Sequence, residues 1–471
     1  MCSENNARLS SRVTLWMALA VLCAITASAQ TDPGVRTSGP IPGATFGSVT
    51  ANNPSGILSF FTDAQTRFAT IDSVSGTITG EPGSGLGPRY NSRSCARCHA
   101  QPNAGGTAPS ANPQVSDASA DGASNSLPSF ISPTGPVREA RFIYFTDSSG
   151  NPITSSPNGG VESLFTIAGR TDSGGCNSSV IQQPNFSSAV AHNNVIFRIP
   201  TPVFGSGLME KLDESTLLAV QAAVAGNPFG IAGTFNRNGN DGTIARFGWK
   251  AQNKSLELFS GEAYNVEMGV SNELFTQERP TPEEDLASGL PTPCKINAMP
   301  EDITNFQKAG AQIPSDAVQF AMFMRLLAPP VASTTTPGGS ASITNGAALF
   351  QSIGCATCHT MSMSDSTQSS ITPDLSATTV NLLSDLEIHH MGTGLADNVT
   401  QGGAGGDQFR TAPLWGIGTR IFFLHDGRTT DLLAAITAHQ STGSEANTVK
   451  LNFDALSPGQ KQDILNFLRS L

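Results

Sequence analysis

Two copies of the motif C-x-x-C-H constrain this chain more than any other feature. They are C-A-R-C-H at 95–99 and C-A-T-C-H at 355–359. In such a motif the two thiols can add to the vinyl groups of a haem, and the histidine beside them reaches the iron. A redox-active dithiol or half of a zinc site is the alternative, but neither needs the trailing histidine in both copies. The motifs therefore predict two covalently bound haem c groups, attached through Cys95, Cys98, Cys355 and Cys358 and ligated by His99 and His359.

The amino terminus has the pattern of a signal peptide. Arg8 and Arg12 precede an apolar stretch at Val13–Ile25, and Ala27-Ser28-Ala29 is an A-x-A cleavage site. The apolar stretch is short for a membrane span, so we expect no transmembrane anchor. The pattern predicts that residues 1–29 are removed near Ala29 and that the mature protein is periplasmic or secreted.

The composition excludes some partners. The net charge is −11, and only 13% of the residues are charged. Nucleic acids and anionic lipids require patches of Lys and Arg, so we expect neither as a partner. An acidic protein of this kind suits a basic redox partner.

Two cysteines remain outside the motifs and the signal peptide. They are Cys176 and Cys294. In an oxidising compartment they could form a disulfide, which would stabilise the fold by about 4 kcal/mol if unstrained. Two separate free thiols are the alternative.

The order of patterns along the chain predicts a mainly α protein with two haem domains. An irregular leader at 30–56 is followed by an N-terminal haem domain at 57–328, with helices at 57–70, 213–224 and 315–328. This domain carries a loop-rich insertion with short strands near 141–145 and 194–198. The segment 329–341 is rich in Pro, Thr and Gly and is predicted to be a linker, and 342–471 forms a C-terminal haem domain. Its last helix should begin at Pro458, with Ser457 as N-cap.

The two halves share a sequence repeat. The segment F-R-I-P-T-P-V-F-G-S-G at 197–207 is similar to F-R-T-A-P-L-W-G-I-G at 409–418, with a difference of one residue in length. Chance similarity between loops rich in Gly and Pro is the alternative. We interpret the repeat as evidence for two related halves.

Four further segments carry a resemblance to a known family. They are Gly85–Asn91, Arg246–Ala251, Leu386–Gly392 and Arg410–Arg428. Together with the haem motifs they resemble the di-haem oxidoreductase family, also described as peroxidases or thiol oxidoreductases and distantly related to bacterial di-haem cytochrome c peroxidases. The resemblance spans about residues 57–471 and implies domains like cytochrome c, in which the first and last helices cross. Gly346 would allow a close approach at that crossing.

The resemblance also implies ligands for the iron of the C-terminal haem. In the related peroxidases the distal ligand follows the H-D-G histidine by fourteen residues, which here leads from His425 to His439. We therefore expect ligation by His359 and His439. Met391 is an alternative ligand, and His439 could instead be a surface residue. His389, His425 and Asp426 are predicted to support the haem pocket, and Trp415 to lie near a haem edge, although each could be purely structural.

The N-terminal haem is less constrained. A peroxidase needs an open iron and a nearby carboxylate or amide that moves the proton of the peroxide. Glu210 is the best placed carboxylate by sequence, and a solvated glutamate at a helix start is the alternative. His192 could be a sixth iron ligand, since related peroxidases use a mobile histidine in this way.

The favoured function is a peroxidase-like oxidoreductase in which the C-terminal haem passes electrons to the N-terminal haem. A small cytochrome or cupredoxin would donate the electrons, and peroxide or another small molecule would be the substrate. A pure electron-transfer cytochrome and an oxidase or oxygenase of an organic substrate are the alternatives. Relatives often hold a calcium ion between the haems, but the residues that would bind it do not match here.

Overall fold

The structure is a computed structural model that describes residues 30–52, 56–120, 127–174, 176, 181, 183–278, 300–369, 372–376 and 379–471. The predicted signal peptide lies outside these residues. No helix within the described part is long and apolar enough to cross a membrane.

The described residues form thirteen α-helices and eleven short strands, which confirms a mainly α protein. The helices are α1 (Gly47–Asn52), α2 (Ile57–Ala69), α3 (Cys95–Cys98), α4 (Pro113–Ala120), α5 (Phe186–Ala191), α6 (Ser206–Lys211), α7 (Glu214–Val224), α8 (Leu256–Met268), α9 (Asp316–Leu326), α10 (Gly339–Ser352), α11 (Leu432–Thr437), α12 (Asn447–Ala455) and α13 (Pro458–Ser470).

The strands pair into small antiparallel sheets. They are β1 (Arg89–Tyr90), β2 (Glu139–Phe142), β3 (Tyr144–Thr146), β4 (Pro152–Pro157), β5 (Val161–Glu162), β6 (Phe165–Thr166), β7 (Val195–Arg198), β8 (Met363–Ser364), β9 (Thr379–Val380), β10 (Ile388–His390) and β11 (Gln408–Arg410). A three-stranded sheet has the order β5-β2-β7, and the others have two strands. The predicted strands of the insertion are thus present, and the pair β10-β11 adds a sheet to the C-terminal half that was not predicted.

The helix ends follow the capping residues in the sequence. The side chains of Asp213, Ser315 and Ser457 accept hydrogen bonds from the first turns of α7, α9 and α13. Ser457 and Gln460 form a reciprocal capping box, in which each side chain binds the other residue's backbone. Local sequence was sufficient to predict these helices because such caps satisfy backbone N–H groups that the helix leaves unpaired.

One helix crossing organises each half. In the N-terminal half, α2 packs on α9 with the ring of Phe323 5.5 Å from that of Phe61 and 4.7 Å from that of Phe68. In the C-terminal half, α10 packs on α13, and the rings of Phe350 and Phe467 lie 5.5 Å apart. The predicted crossing of the first and last helices of the C-terminal half is therefore confirmed.

The sequence repeat has a structural counterpart. Gly205 and Gly416 occupy equivalent places and both have left-handed backbone, with φ of 70° and 74°. A Cβ on Gly207 would lie 2.2 Å from the carbonyl oxygen of Arg325 in α9, and one on Gly418 would lie 2.1 Å from that of Arg469 in α13. Each copy of the repeat thus packs against the end of the last helix of its own half.

The predicted boundaries need two corrections. The leader is not wholly irregular, since it contains α1, and the linker ends earlier than predicted because α10 begins at Gly339.

The two halves are not separate bodies. Met363, Leu375 and Leu382, which follow the linker, are buried in the same apolar cluster as the N-terminal helices.

Gly346 should be essential for the crossing of α10 and α13. A Cβ there would lie 2.0 Å from the carbonyl oxygen of Asp463. Gly346→Ala would force the helices apart, and we expect the free energy of unfolding to fall by about 1–3 kcal/mol, measured by urea denaturation. Gly459→Ala in α13 is the control, because its Cβ would meet no atom within 4 Å. Equal stability of the two variants would contradict the close approach.

Candidate functional site: two cavities at the C-x-x-C-H motifs

The first motif lies at the wall of a cavity. Cys95 and Cys98 belong to α3 and carry free thiols, and His99 follows directly. The His99 Nδ1 donates a hydrogen bond to the carbonyl oxygen of Gly106 at 3.0 Å, so Nε2 is the nitrogen left for a metal. The three motif residues line a cavity, which we call the N cavity.

The second motif has the same arrangement. Cys355 begins a short 3-10 helix, and the Nδ1 of His359 donates to the carbonyl oxygen of Leu383 at 3.1 Å. Cys355, Cys358 and His359 line a second cavity, which we call the C cavity. Burial lowers the pKa of His359 to about 3 and that of His99 to about 4, so both imidazoles are neutral, the form that binds a metal.

His439 lines the C cavity together with His359. Its Nδ1 donates to the carbonyl oxygen of Ala435 at 2.9 Å, one turn earlier in the chain, and its Nε2 is thereby left for a ligand. Burial lowers the pKa of His359, and the nearby imidazole of His439 lowers it further. The C cavity therefore holds two neutral imidazoles, each fixed by a backbone carbonyl. Met391, the alternative ligand, lines the same cavity.

Two buried arginines also line the C cavity. Arg410 and Arg420 hydrogen-bond to backbone carbonyls, and neither forms an ion pair with a described carboxylate. Burial lowers the pKa of both guanidinium groups to about 10. Buried cations without a counter-ion fit a ligand that brings carboxylates, as the propionate groups of haem do.

His389 and His425 lie where the sequence predicted, at the wall of the C cavity. The ring of His425 stacks on Phe409 at 4.3 Å. The His389 Nδ1 lies 2.9 Å from Glu445, and its Nε2 lies 3.0 Å from Asp385. Burial alone would lower the pKa of His389, but its hydrogen bonds raise it well above the usual value. The ring therefore supports the site as a buried cation.

Cys358, Asp385 and His389 lie close enough to hold a metal ion. The Cys358 sulfur is 3.7 Å from the His389 Nδ1. Both nitrogens of His389 already face carboxylates, however, and a ring protonated on both nitrogens cannot coordinate a metal. This cluster is an ion-pair network beside the second motif.

The N cavity holds a different polar group. Glu139 and Glu267 both line it, and their carboxyl groups interact electrostatically. Burial, together with the Glu139 charge, raises the pKa of Glu267 well above its usual value. Burial alone would also raise the pKa of Glu139, but the charge of Arg141 lowers it. Of the two carboxyl groups, Glu267 is thus the one that favours its protonated form, and Glu139 is the one that favours its ionised form. His99 is the only histidine among the described residues of this cavity wall.

The chain matches the family described as "Di-haem oxidoreductase, putative peroxidase" over residues 161–471. It belongs to this family. Membership makes the chain a haem oxidoreductase, and the two cavities offer space, neutral imidazoles and, in the C cavity, buried cations that fit such a group.

Other comparisons add little. No curated protein matches the chain. One similar solved structure is the hydrazine synthase of Kuenenia stuttgartiensis pressurised with xenon, which is 18% identical with a TM-score of 0.22. The match covers 35% of this chain, and the chain spans about half the length of that one, 56%. A TM-score this low carries no argument about the fold.

Two predicted residues of the N-terminal site lie elsewhere. Glu210 is not at the cavity wall, because it forms an ion pair with Arg325 at 2.6 Å and caps the first N–H of α8, that of Leu256. His192 ends α5 on the surface, where its Nδ1 binds the carbonyl oxygen of Ser188. Neither prediction is supported by this geometry.

Two further predicted residues lie outside the walls of the N and C cavities, so their proposed roles stay predictions. Asp426 lies outside both cavities and forms an ion pair with Arg428 at 2.7 Å. Trp415 packs over Gly205 and lines only a small cavity between the halves. Trp249 is the tryptophan that lines both the N cavity and the C cavity. It lies in the segment 246–251, one of the segments that carry the family resemblance. That resemblance is the sequence feature that could have identified Trp249.

Cys176 is disulfide-bonded. The partner predicted from the sequence, Cys294, lies outside the described residues, so that pairing stays a prediction.

The placement of Glu210 predicts a structural role. Because Glu210→Gln removes the charge that pairs with Arg325, we expect the free energy of unfolding to fall by about 1–3 kcal/mol while the haem absorption spectrum is unchanged. Thermal and urea unfolding followed with the ferric spectrum would measure both. Asp63→Asn is the control, since Asp63 is exposed and forms no ion pair with a described residue. A changed spin state of the haem iron in Glu210→Gln, but not in the control, would show that Glu210 acts at the haem site.

Proposed function

We propose that this protein is an exported di-haem c peroxidase, in which the N-terminal haem reduces peroxide and the C-terminal haem supplies electrons. One observation carries the proposal: the two cavities share a motif but differ in what faces it. The C cavity offers a second fixed imidazole, from His439, whereas the N cavity offers the carboxyl pair Glu139–Glu267. An iron with two imidazole ligands has no free position for a substrate. An open iron beside an acid–base pair can bind a substrate and exchange protons with it.

Covalent attachment of both haems is supported by the free thiols at each cavity wall. All four motif cysteines carry free thiols and lie beside a histidine with its Nε2 available. The related crossings of α2 with α9 and of α10 with α13 support two halves like cytochrome c. Export to the periplasm or beyond is supported by the signal pattern at residues 1–29 and by this attachment chemistry.

In the N cavity the proton chemistry belongs to Glu267 and Glu139. Haem iron, when bound, supplies the electrons that break the O–O bond. Glu139 accepts the proton of an entering peroxide, and Glu267 donates its own proton to the departing oxygen as water forms. The Asn91 amide donates to Glu267 Oε2 at 3.2 Å and holds the carboxyl group at the cavity wall. General acid–base groups placed in this way typically contribute about 10²–10⁴-fold in rate.

Trp249 is the favoured route for electrons between the cavities. Its indole N–H donates to the carbonyl oxygen of Ile199 at 2.9 Å, and its ring lies 6.4 Å from that of His425. These contacts fix a large aromatic ring against the walls of both cavities. A small cytochrome or cupredoxin is the proposed external donor, and the acidic net charge of −11 suits a basic one.

Low-temperature EPR of the fully ferric protein tests the proposal. We expect one high-spin signal from the N-terminal haem and one low-spin signal from the C-terminal haem. His439→Ala should convert the low-spin signal to high spin, because the iron would lose an imidazole, and His192→Ala should change nothing. Two low-spin signals would instead favour a pure electron-transfer cytochrome, and an unchanged spectrum of His439→Ala would remove the ligand assignment.

Glu267→Gln should slow peroxide reduction without changing the fold. The amide keeps the shape of the side chain but cannot hold the transferable proton, so we expect kcat to fall by about 10²–10⁴-fold. Stopped-flow measurement of peroxide consumption with a reduced cytochrome donor would show this. Glu262→Gln is the control, because Glu262 lies in the same helix but outside the cavity wall. Full activity of Glu267→Gln would rule out the carboxyl pair as the acid–base group.

A further inference from the structure

A wide cleft opens on the side of the N-terminal half where α2, α8 and α9 meet the segment 301–314. The cleft is separate from the N and C cavities. Tyr264 of α8 is 2% exposed and lines this cleft. The cleft plays no part in the function proposed above.

The Tyr264 hydroxyl lies in a charged network. It accepts a hydrogen bond from Arg67 at 2.6 Å and lies 3.1 Å from the Asp72 carboxylate and 3.2 Å from that of Asp316. A phenol has one proton to donate, so one of these carboxylates receives it. The Asp72 side chain is fully buried. Burial raises the pKa of its carboxyl group, although the charge of Arg67 opposes this shift. Asp72 is therefore a suitable acceptor for the phenol proton.

A row of aromatic rings leads from Tyr264 to the first motif. The ring of Phe320 lies 5.1 Å from that of Tyr264, the ring of Phe68 lies 6.0 Å further on, and the ring of His99 lies 6.1 Å from Phe68. Phe320 and Phe68 also line the N cavity. The same rings that form the core of α2 and α9 thus connect the surface cleft with the proximal ligand of the N-terminal haem.

We propose that Tyr264 is a redox-active residue through which the N-terminal haem oxidises small aromatic amines bound in the cleft. The inference rests on the proposed function, since peroxide is the oxidant. Tyr264 gives one electron to the haem that peroxide has oxidised and its phenol proton to Asp72. An amine in the cleft then returns one electron to the tyrosyl oxygen, and the proton moves back from Asp72. Two such cycles supply the two electrons that, with two protons from solvent, convert H₂O₂ to two waters.

The charges of the cleft indicate the class of donor. Four carboxyl groups line it, from Asp63, Glu301, Asp302 and Asp316, against two basic groups, from Arg67 and Lys308. Arg67 already pairs with Asp72 and Asp316. Carboxylates accept N–H hydrogen bonds and repel anions, so the cleft favours neutral or cationic amines over anionic reductants.

The first test is EPR of protein frozen after mixing with hydrogen peroxide. The chain has three tyrosines, Tyr90, Tyr144 and Tyr264. We expect a radical signal that narrows when the tyrosine rings are deuterated, that disappears in Tyr264→Phe and that persists in Tyr90→Phe and Tyr144→Phe. The proposal is overturned if the width of the radical signal does not change on tyrosine deuteration, or if the signal is still present in Tyr264→Phe.

A second test leaves Tyr264 and its network in place. Thr66 and Thr62 are exposed residues of α2, each with its hydroxyl bonded to the carbonyl four residues earlier, but only Thr66 lines the cleft. We expect Thr66→Arg to lower kcat/KM for p-phenylenediamine by about tenfold or more, and Thr62→Arg to leave it unchanged. Turnover of ferrocyanide, an anion, should be unchanged in both. Equal turnover of the amine in both variants overturns the cleft as its site.

Peroxide consumption with a reduced cytochrome donor separates the two proposals. If it is fast in the wild type and no radical depends on Tyr264, the peroxidase function stands and the inference about Tyr264 fails. If the wild type consumes no peroxide, the proposed function fails, and the inference fails with it.

Discussion

The hydrogen bond from an imidazole Nδ1 to a backbone carbonyl is the interaction on which both cavities depend. His99 binds Gly106, His359 binds Leu383, and His439 binds Ala435. Each bond fixes the tautomer and the angle of its ring, so that Nε2 is left available to bind a metal. The course of the backbone around each motif therefore sets the geometry of the site, and the helix crossings hold that backbone in place.

The two halves use this shared device for different purposes. In the C cavity a second imidazole and two buried arginines surround the motif. This arrangement suits a haem whose iron has two imidazole ligands and whose propionates are neutralised by the arginines. In the N cavity a carboxyl pair lies at the wall instead, and one member, Glu267, favours its protonated form. The difference lies in the side chains around the motifs and not in the motifs, and the division of labour that we propose follows from it.

Aromatic rings connect these parts of the molecule. Trp249 lies against both cavities, and the rings of Phe68 and Phe320 connect the N cavity with the outer cleft. The same side chains stabilise the core, since burial of a phenylalanine ring contributes about 1.5–3 kcal/mol. Stability and the electron transfer that we propose therefore both require a closely packed ring at each of these positions.

The sequence by itself predicted the two haem motifs and the capped helices α7, α9 and α13, because each depends on residues near one another in the chain. The close approach at Gly346 was predicted from the family resemblance, which supplied the crossing of the first and last helices. The family resemblance supplied His389, His425 and His439 as candidate residues, and all three lie at the wall of the C cavity. Tertiary structure alone decided that Glu139 meets Glu267, that Glu210 pairs with Arg325 and that Trp249 rather than Trp415 lies between the cavities. These contacts join residues from distant segments, and no local pattern specifies which buried charges will meet once the helices have packed.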